Sequence, residues 1–361
     1  MKIETLCVHA GHAPDLVTGA VAPPLHLSTT FERDADGEFR RGYIYSRDNN
    51  PTRAMLEQAL AAVEGGKLAY AFSSGQAATH AVFQALRPGE HVIVPKFAYY
   101  GTPKLVREVF MPWGLQATFV DMRDLNAIRD AVRPNTSLIW VESPSNPLLT
   151  LTDIAAVVEI ARTVKARVAV DNTWATPLGQ RPLQLGADIV MHATTKYLSG
   201  HSDVLGARWC WVRRMTLPRA HPHAAEGGGG VAAPFDPGWW PGESARSRGA
   251  CGPTPPMRPR SPSFFQRIRG WRRRTIRGFP HIRSTTWLAD RCNFLRMASF
   301  QVVGGRAEAL RVVAARTRIF TRATSLGGGR ALSSTAPRRG RRLWRQRTPP
   351  HLHRSGEMRR T

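Results

Sequence analysis

The sequence predicts an α/β fold with a mainly parallel sheet and helices on both faces. Two patterns point to it. Short apolar runs alternate with helical segments long enough to cross back over a sheet. The polar residues of chemical interest follow the carboxyl ends of those runs, where open sheets of this kind bind ligands.

Taken in order, residues 1–50 carry Val8-His9-Ala10-Gly11 and Gly19 to Pro24 with little helical periodicity. An extended arm that lies on something else is expected. Tyr43 to Thr52 follows, and Pro51 suits the first turn of a helix whose stripe is Met55, Leu56, Ala59, Leu60 and Val63. Leu68 to Phe72 reads as a strand, and Ser73-Ser74-Gly75-Gln76-Ala77-Ala78 opens the next helix. Small residues there leave free N–H groups at the positive end of the dipole, a ready anion seat.

Strands are predicted at His91–Pro95, Gln116–Asp121, Ser137–Glu142, Arg167–Val170 and Ile189–Met191. Lys96 to Thr102 forms a loop into a helix, and further helices run over Asp124–Val132 and Asp153–Lys165, each with an aspartate at its start. The second of these is amphipathic on Ile154, Val157, Val158 and Ala161. Ser143 to Pro147 and Asp171 to Trp174 sit directly after strands.

The run Ile189 to Met191 delivers Lys196 into a loop of small and hydroxyl residues. Partial burial at such a strand end lowers an amine's pKa and frees its lone pair for imine chemistry. Thr194 and Thr195 are able to hydrogen-bond a phosphate, and Gly200 lets the chain turn back closely. Asp171 has the chemistry to keep a pyridine nitrogen protonated, and the bland alternative is a turn cap. Tyr99 is a candidate ring-stacking group or a packed loop aromatic. Tyr45 and Arg47 are a solvated loop pair or a phosphate clamp.

The string Asp188 to Ser202 is similar, at every constrained position, to the pyridoxal-phosphate lysine signature of the Cys/Met-metabolism (trans-sulfuration) enzymes. Residues 1–206 resemble that family almost without interruption. The resemblance implies the type I, aspartate-aminotransferase-like fold and pyridoxal 5'-phosphate (PLP) as cofactor. It implies a small amino-acid substrate and a homotetramer built of tight dimers. Lys196 would hold PLP as an aldimine and then move substrate protons through a quinonoid. Gly75, Gln76 and Thr195 would hold the phosphate, with Tyr45 and Arg47 reaching the neighbouring subunit's cofactor. Tyr99 would stack on the ring and serve catalysis, Asn146 would contact the phenolic oxygen, and Asp171 would pair the ring nitrogen. Ser325 would lie near the substrate carboxylate. Ala193 departs from the family, which often has a phosphate-binding serine there.

Which reaction follows is divided between two strings. Asp171 to Pro177 resembles the β-lyase relatives, whereas Tyr45 to Thr52 with Tyr99 to Thr102 resembles the γ-synthase and γ-lyase branch. The balance favours the γ-synthase/lyase type, acting on cystathionine or an O-acylhomoserine. Cystathionine β-lyase and O-acylhomoserine sulfhydrylase remain open alternatives.

Composition divides the chain. The 361 residues carry a net charge of +25, yet residues 1–206 hold 19 Lys and Arg against 20 Asp and Glu. Residues 207–361 hold 32 arginines, no lysine and six acidic residues. Ala207 to Val212 half fits the family's next strand, and Ser244 to Arg274 has no helical or alternating pattern. Ser299 to Leu310, Thr321 to Gly328 and, more weakly, Ala225 to Asp236 again resemble the family, before Ala336 to Arg360 reverts to arginine and proline. Such islands in lysine-free text point to a GC-rich gene read partly out of frame. The expected organisation is an arm (1–50), a PLP-binding large domain (51–236) and a C-terminal small domain (237–361) out of family pattern and poorly ordered except near 299–328.

Two rivals to the enzyme remain: an inactive remnant of the PLP fold, and a basic nucleic-acid-binding tail. No helix-turn-helix, zinc or RNA-binding signature accompanies the arginines, so a nucleic-acid partner is not expected. Cys7, Cys210, Cys251 and Cys292 have no metal-like spacing, so no metal site is expected. No apolar run reaches membrane-spanning length, and Met1-Lys2-Ile3-Glu4 has no signal-peptide core behind it. A cytoplasmic protein without a membrane partner is the expectation.

Overall fold

The computed structural model describes residues 1–211, 229–235, 282–287, 298–302, 321–322, 325–326 and 332–333. Helix α1 (Ile3–His9) precedes a long irregular segment, then α2 (Pro51–Glu64), β1 (Leu68–Phe72), α3 (Gly75–Gln84) and β2 (His91–Pro95). A composite helix follows, made of α4 (Gly101–Leu105), a π-helical turn (Val106–Phe110) and α5 (Met111–Trp113). Next are β3 (Gln116–Val120), α6 (Leu125–Asp130), β4 (Thr136–Glu142), α7 (Ile154–Arg162) and β5 (Arg167–Asp171). The short α8 (Thr176–Gly179) and a 3-10 turn (Pro182–Leu185) lead to β6 (Ile189–His192) and β7 (Ala207–Trp211).

These strands form one seven-stranded sheet in the order β1-β7-β6-β5-β4-β2-β3. The neighbours from β6 to β3 pair parallel, and β7 pairs antiparallel with both β1 and β6. Strand alternation sorts the core into two layers. Leu138, Trp140, Ala169, Ile189 and Met191 face α3 and the composite helix, packing with Phe83, Val106 and Phe110. Ile139, Val141, Val168 and Val170 face the opposite side against Ile128 of α6 and Val157, Val158 and Ala161 of α7. Val190 on that side meets Leu56, Leu60 and Val63 of α2. The predicted fold class is therefore what forms, and no helix of the described residues is long and apolar enough to cross a membrane.

The helix starts follow their sequence signals. Asn50 caps α2, accepting from the N–H groups of Thr52 and Arg53, with Pro51 at the first position. Ser74, Asp124 and Asp153 cap α3, α6 and α7 through their side chains.

One expectation needs correction. The first residues are not extended: Ile3–His9 is a helix, and Ile3, Leu6 and Cys7 pack on the α2 cluster. Seven residues are too few to hold a helix alone, so tertiary packing supplies the stability that periodicity does not announce. Leu16, Val17 and Val21, further along the arm, remain exposed. The arginine-rich stretches Ser244 to Arg274 and Ala336 to Arg360 lie outside the described residues, as does most of the expected C-terminal domain. Two small strand pairs stand within it: β8 (Ile282–Trp287) with β9 (Ala298–Val302), and β10 (Thr321–Arg322) with β11 (Leu332–Ser333).

Candidate active site

The carboxyl ends of β4, β5 and β6 bring the predicted residues together. Asp171 ends β5 two residues after Ala169, so it faces the α3 side, beside its register partner Glu142 at the end of β4. Burial raises the Asp171 carboxyl, while hydrogen bonds from the Thr173 hydroxyl and N–H and the nearby His192 act to lower it. Both bonds go to Oδ1, at 2.6 and 3.0 Å.

Thr173 has a second role that sequence reasoning missed. Its hydroxyl accepts the N–H of Ala193 at 2.8 Å, which ties Asp171 to the turn leading out of β6. Lys196 closes that turn, its N–H donating to Ala193 O at 3.1 Å. The amine of Lys196 is partly buried, and burial lowers its pKa. Nζ donates to Ser325 Oγ at 3.1 Å. The adjacent Leu326 is held in a cluster with Leu149, Trp174 and Ala175, against which Tyr197 packs.

The start of α3 has the geometry of an anion seat. Among the described residues the N–H groups of Gly75 and Gln76 at the start of α3 have no hydrogen-bond acceptor, whereas Ala77 N–H goes to the Ser74 hydroxyl. A Cβ on Gly75 would stand 3.4 Å from the Ala193 methyl, so the seat abuts the turn that carries Lys196. Ser73 N–H donates to Gly230 O at 2.8 Å, which fastens residues 229–232 beside it. Thr195 Oγ1 exchanges hydrogen bonds with Gly206, accepting from N at 3.0 Å and donating to O at 3.2 Å. Holding a phosphate with this hydroxyl therefore requires its proton to turn away from Gly206. Thr194 Oγ1 is buried with no hydrogen-bond partner among the described residues.

The Tyr99 loop closes the same end. A Cβ on Gly101 would meet the Tyr99 ring at 2.5 Å and Gln76 Nε2 at 2.7 Å, so this loop and the helix start are in contact. Burial, aided by the adjacent Tyr100, pushes the Tyr99 phenol up to about 12, and it stays neutral at pH 7. Glu142 accepts from the N–H groups of both Tyr99 and Asn146.

Tyr45 and Arg47 are not part of this gathering. Arg47 lies over the Tyr45 ring, 5.1 Å from its centroid, and meets Asp48 at 3.7 Å. Buried Arg53 holds their loop by donating to the carbonyls of Ser46, Arg47 and Asp48. Behind the sheet, His192 Nε2 and Glu64 Oε1 are 2.5 Å apart in full burial, and Asn172 Nδ2 reaches the same oxygen at 3.4 Å. Arg53, Glu64 and Glu142 carried no signal beyond their presence near motifs. Among the described residues no group of three or more His, Cys, Asp or Glu is arranged to hold a metal ion.

The donor set fits PLP. It offers two free N–H groups at a helix start, a lysine amine with lowered pKa, and an aromatic ring. It also offers a buried carboxylate whose Oδ2 takes no hydrogen bond among the described residues.

Comparison with known proteins agrees. The profile of the family described as Cys/Met metabolism PLP-dependent enzyme matches residues 4–237. A protein of Mycobacterium tuberculosis named cystathionine gamma-synthase is 49% identical over 233 residues, 64% of this chain and 60% of that protein. One from Coxiella burnetii named cystathionine beta-lyase is 43% identical over 235 residues, 65% of this chain and 60% of that protein. The chain thus spans about 60% of the length of these curated relatives. The crystal structure of metB from Corynebacterium glutamicum superposes with a TM-score of 0.81 at 34% identity, covering 92% of this chain and 87% of that one.

Proposed function

Since the chain belongs to the Cys/Met-metabolism family of PLP-dependent enzymes, we propose that it is a trans-sulfuration enzyme of the cystathionine γ-synthase/lyase type. Its substrate is cystathionine or an O-acylhomoserine. The observation that carries the reading is the linked pair of strand ends: Asp171 is bound through Thr173 to the turn that presents Lys196.

PLP bound there supplies an electron sink for the carbanion left when a substrate loses its Cα proton. The chain's own residues do the rest. Gly75 and Gln76 bind the phosphate by backbone N–H groups at the α3 dipole end, assisted by Thr195. Asp171 holds a proton on the ring nitrogen by its charge. Tyr99 covers one ring face and Asn146 meets the phenolic oxygen. Lys196, whose lowered pKa keeps its amine more basic-form than an exposed lysine, takes the proton from Cα and returns it at the carbon losing its substituent. Ser325 orients that amine and lies near the substrate carboxylate.

The working form is a homotetramer in the cytoplasm, with Tyr45 and Arg47 serving a neighbouring subunit's phosphate seat. Their exposure on a loop held by Arg53, beside an arm with exposed Leu16, Val17 and Val21, supports that assignment. The organisation into an arm (1–50), a cofactor domain (51–236) and a small C-terminal domain (237–361) belongs to the same proposal.

The test is direct. Purified protein given PLP should turn yellow, and borohydride should fix a phosphopyridoxyl group on Lys196. Cystathionine should then yield cysteine, 2-oxobutyrate and ammonia. Homocysteine and pyruvate instead would make it a β-lyase, the reading that the Coxiella relative supports. Cofactor uptake without turnover of cystathionine or O-acylhomoserines would make it an inactive remnant, and no uptake would reject the reading altogether.

A further inference from the structure

We infer that Glu142 is a positioning residue whose single buried carboxyl sets both the Tyr99 loop and the Asn146 loop against the cofactor. This rests on the PLP reading above, because its consequence is read on the bound cofactor.

Glu142 ends β4 and is 2% exposed. Its Oε1 accepts from Asn146 N at 2.6 Å and Tyr99 N at 3.0 Å, and its Oε2 accepts from Tyr99 N at 2.8 Å. One partner lies four positions onward in its own loop; the other stands 43 positions earlier, after β2. A residue needed only to fill volume there would be apolar, because a buried carboxyl loses its hydration. What the carboxyl adds is two backbone attachments from one point, and each attached residue faces the cofactor in the proposed arrangement.

The neighbouring carboxylate completes the argument. Burial and then the charge of Asp171 push Glu142 well above the ordinary carboxylate range, against the opposing pull of the Asn146 and Tyr99 N–H groups. Burial raises Asp171 as well, opposed by the Thr173 hydrogen bonds and His192. The two buried carboxyls thus oppose each other's ionisation, and the Tyr99 and Asn146 N–H groups hold Glu142 in place beside Asp171. One residue thus anchors two loops beside Asp171.

The experiment uses full-length apoprotein of the wild type, Glu142→Ala, Glu142→Gln and Val141→Ala. Val141 lies on the opposite face of the same strand and serves as the packing control. PLP affinity is read by fluorescence titration, ring pose by visible circular dichroism of the bound cofactor, and stability by urea unfolding. Glu142→Ala should raise the PLP Kd at least tenfold and alter the visible dichroism. Glu142→Gln, neutral and keeping one acceptor, should raise Kd two- to fivefold with a smaller dichroism change. Val141→Ala should lower the unfolding midpoint while keeping Kd within twofold and dichroism unchanged. If Glu142→Ala does not fold, Glu142→Gln decides. Wild-type Kd and dichroism in Glu142→Gln, beside a wild type that takes up PLP, overturn this inference alone. A wild type that takes up no PLP overturns the functional reading and this inference together.

Discussion

Lys196 Nζ and Ser325 Oγ are 3.1 Å apart although 129 positions separate them in the chain. The contact brings a residue from the C-terminal part to the proposed cofactor site, and Leu326 anchors it by packing with Leu149, Trp174 and Ala175. A half-buried amine with one hydroxyl partner has a defined direction, which proton transfer at a substrate carbon requires.

Removing the two ends of this contact should have unequal effects. Lys196→Ala should lower turnover by about 10²–10⁴-fold or more, the range for losing a positioned general base. It should also yield protein whose PLP is lost on dialysis. Ser325→Ala should retain the bound colour and lose roughly tenfold in kcat/KM, about 1.4 kcal/mol. Equal losses in the two variants would contradict the orienting role.

Thr173→Val tests the link between β5 and β6. The isosteric side chain leaves Asp171 Oδ1 without its hydroxyl donor and Ala193 N–H without its acceptor. Thr173 N–H still reaches Oδ1, so only the Ala193 N–H loses its partner; a buried group left unpaired costs about 1–3 kcal/mol, and a fall in unfolding free energy of that order is expected. Without the hydroxyl donor the Asp171 carboxyl rises further, and PLP affinity should fall with it. A fully stable variant with unchanged affinity would remove the link from the mechanism.

Gly101→Ala should weaken PLP binding more than it weakens folding. The added methyl would stand 2.5 Å from the Tyr99 ring and 2.7 Å from Gln76 Nε2, so one or both side chains must move. The shift moves Tyr99, the proposed ring-stacking group, away from the proposed anion seat, with an expected loss in affinity of roughly tenfold. Titration of apoprotein beside a urea curve separates the two effects. Gly11→Ala should do the reverse. There the methyl meets Met55 O at 2.3 Å, and φ of +73° adds strain, so stability should fall while affinity holds.

Stability on the acid side should depend on His91. Its ring nitrogens lie 2.8 Å from Thr136 Oγ1 and 2.9 Å from Thr118 Oγ1, and burial, then nearby Arg133, lowers its pKa from 6.5 to about 4. The fold favours the neutral ring, so its contribution is complete above pH 6.5 and is lost as pH falls toward 4. His91→Gln cannot titrate. Between pH 7 and 4.5 the wild type should lose ~2 kcal/mol more unfolding free energy than the variant. Parallel pH profiles of the two proteins would refute this.

Several elements were legible because local chemistry announces them. Leu68–Phe72, His91–Pro95 and the helix opening at Pro51 form where their residues predict. Lys196, Asp171, Gly75 and Tyr99 were legible as candidates through their motifs. Glu142 and Thr173 were not, since a hydrogen bond across 43 or 20 positions leaves no local pattern.

By itself the sequence determined the strands, most helix starts, the family and the lysine, because apolar runs, caps and a contiguous signature act over a few neighbouring residues. Only the tertiary structure decided the strand order, the antiparallel place of β7, the packing of α1 on α2 and the meeting of Lys196 with Ser325. Each depends on which distant surfaces bury one another, and that is a property of the folded chain as a whole.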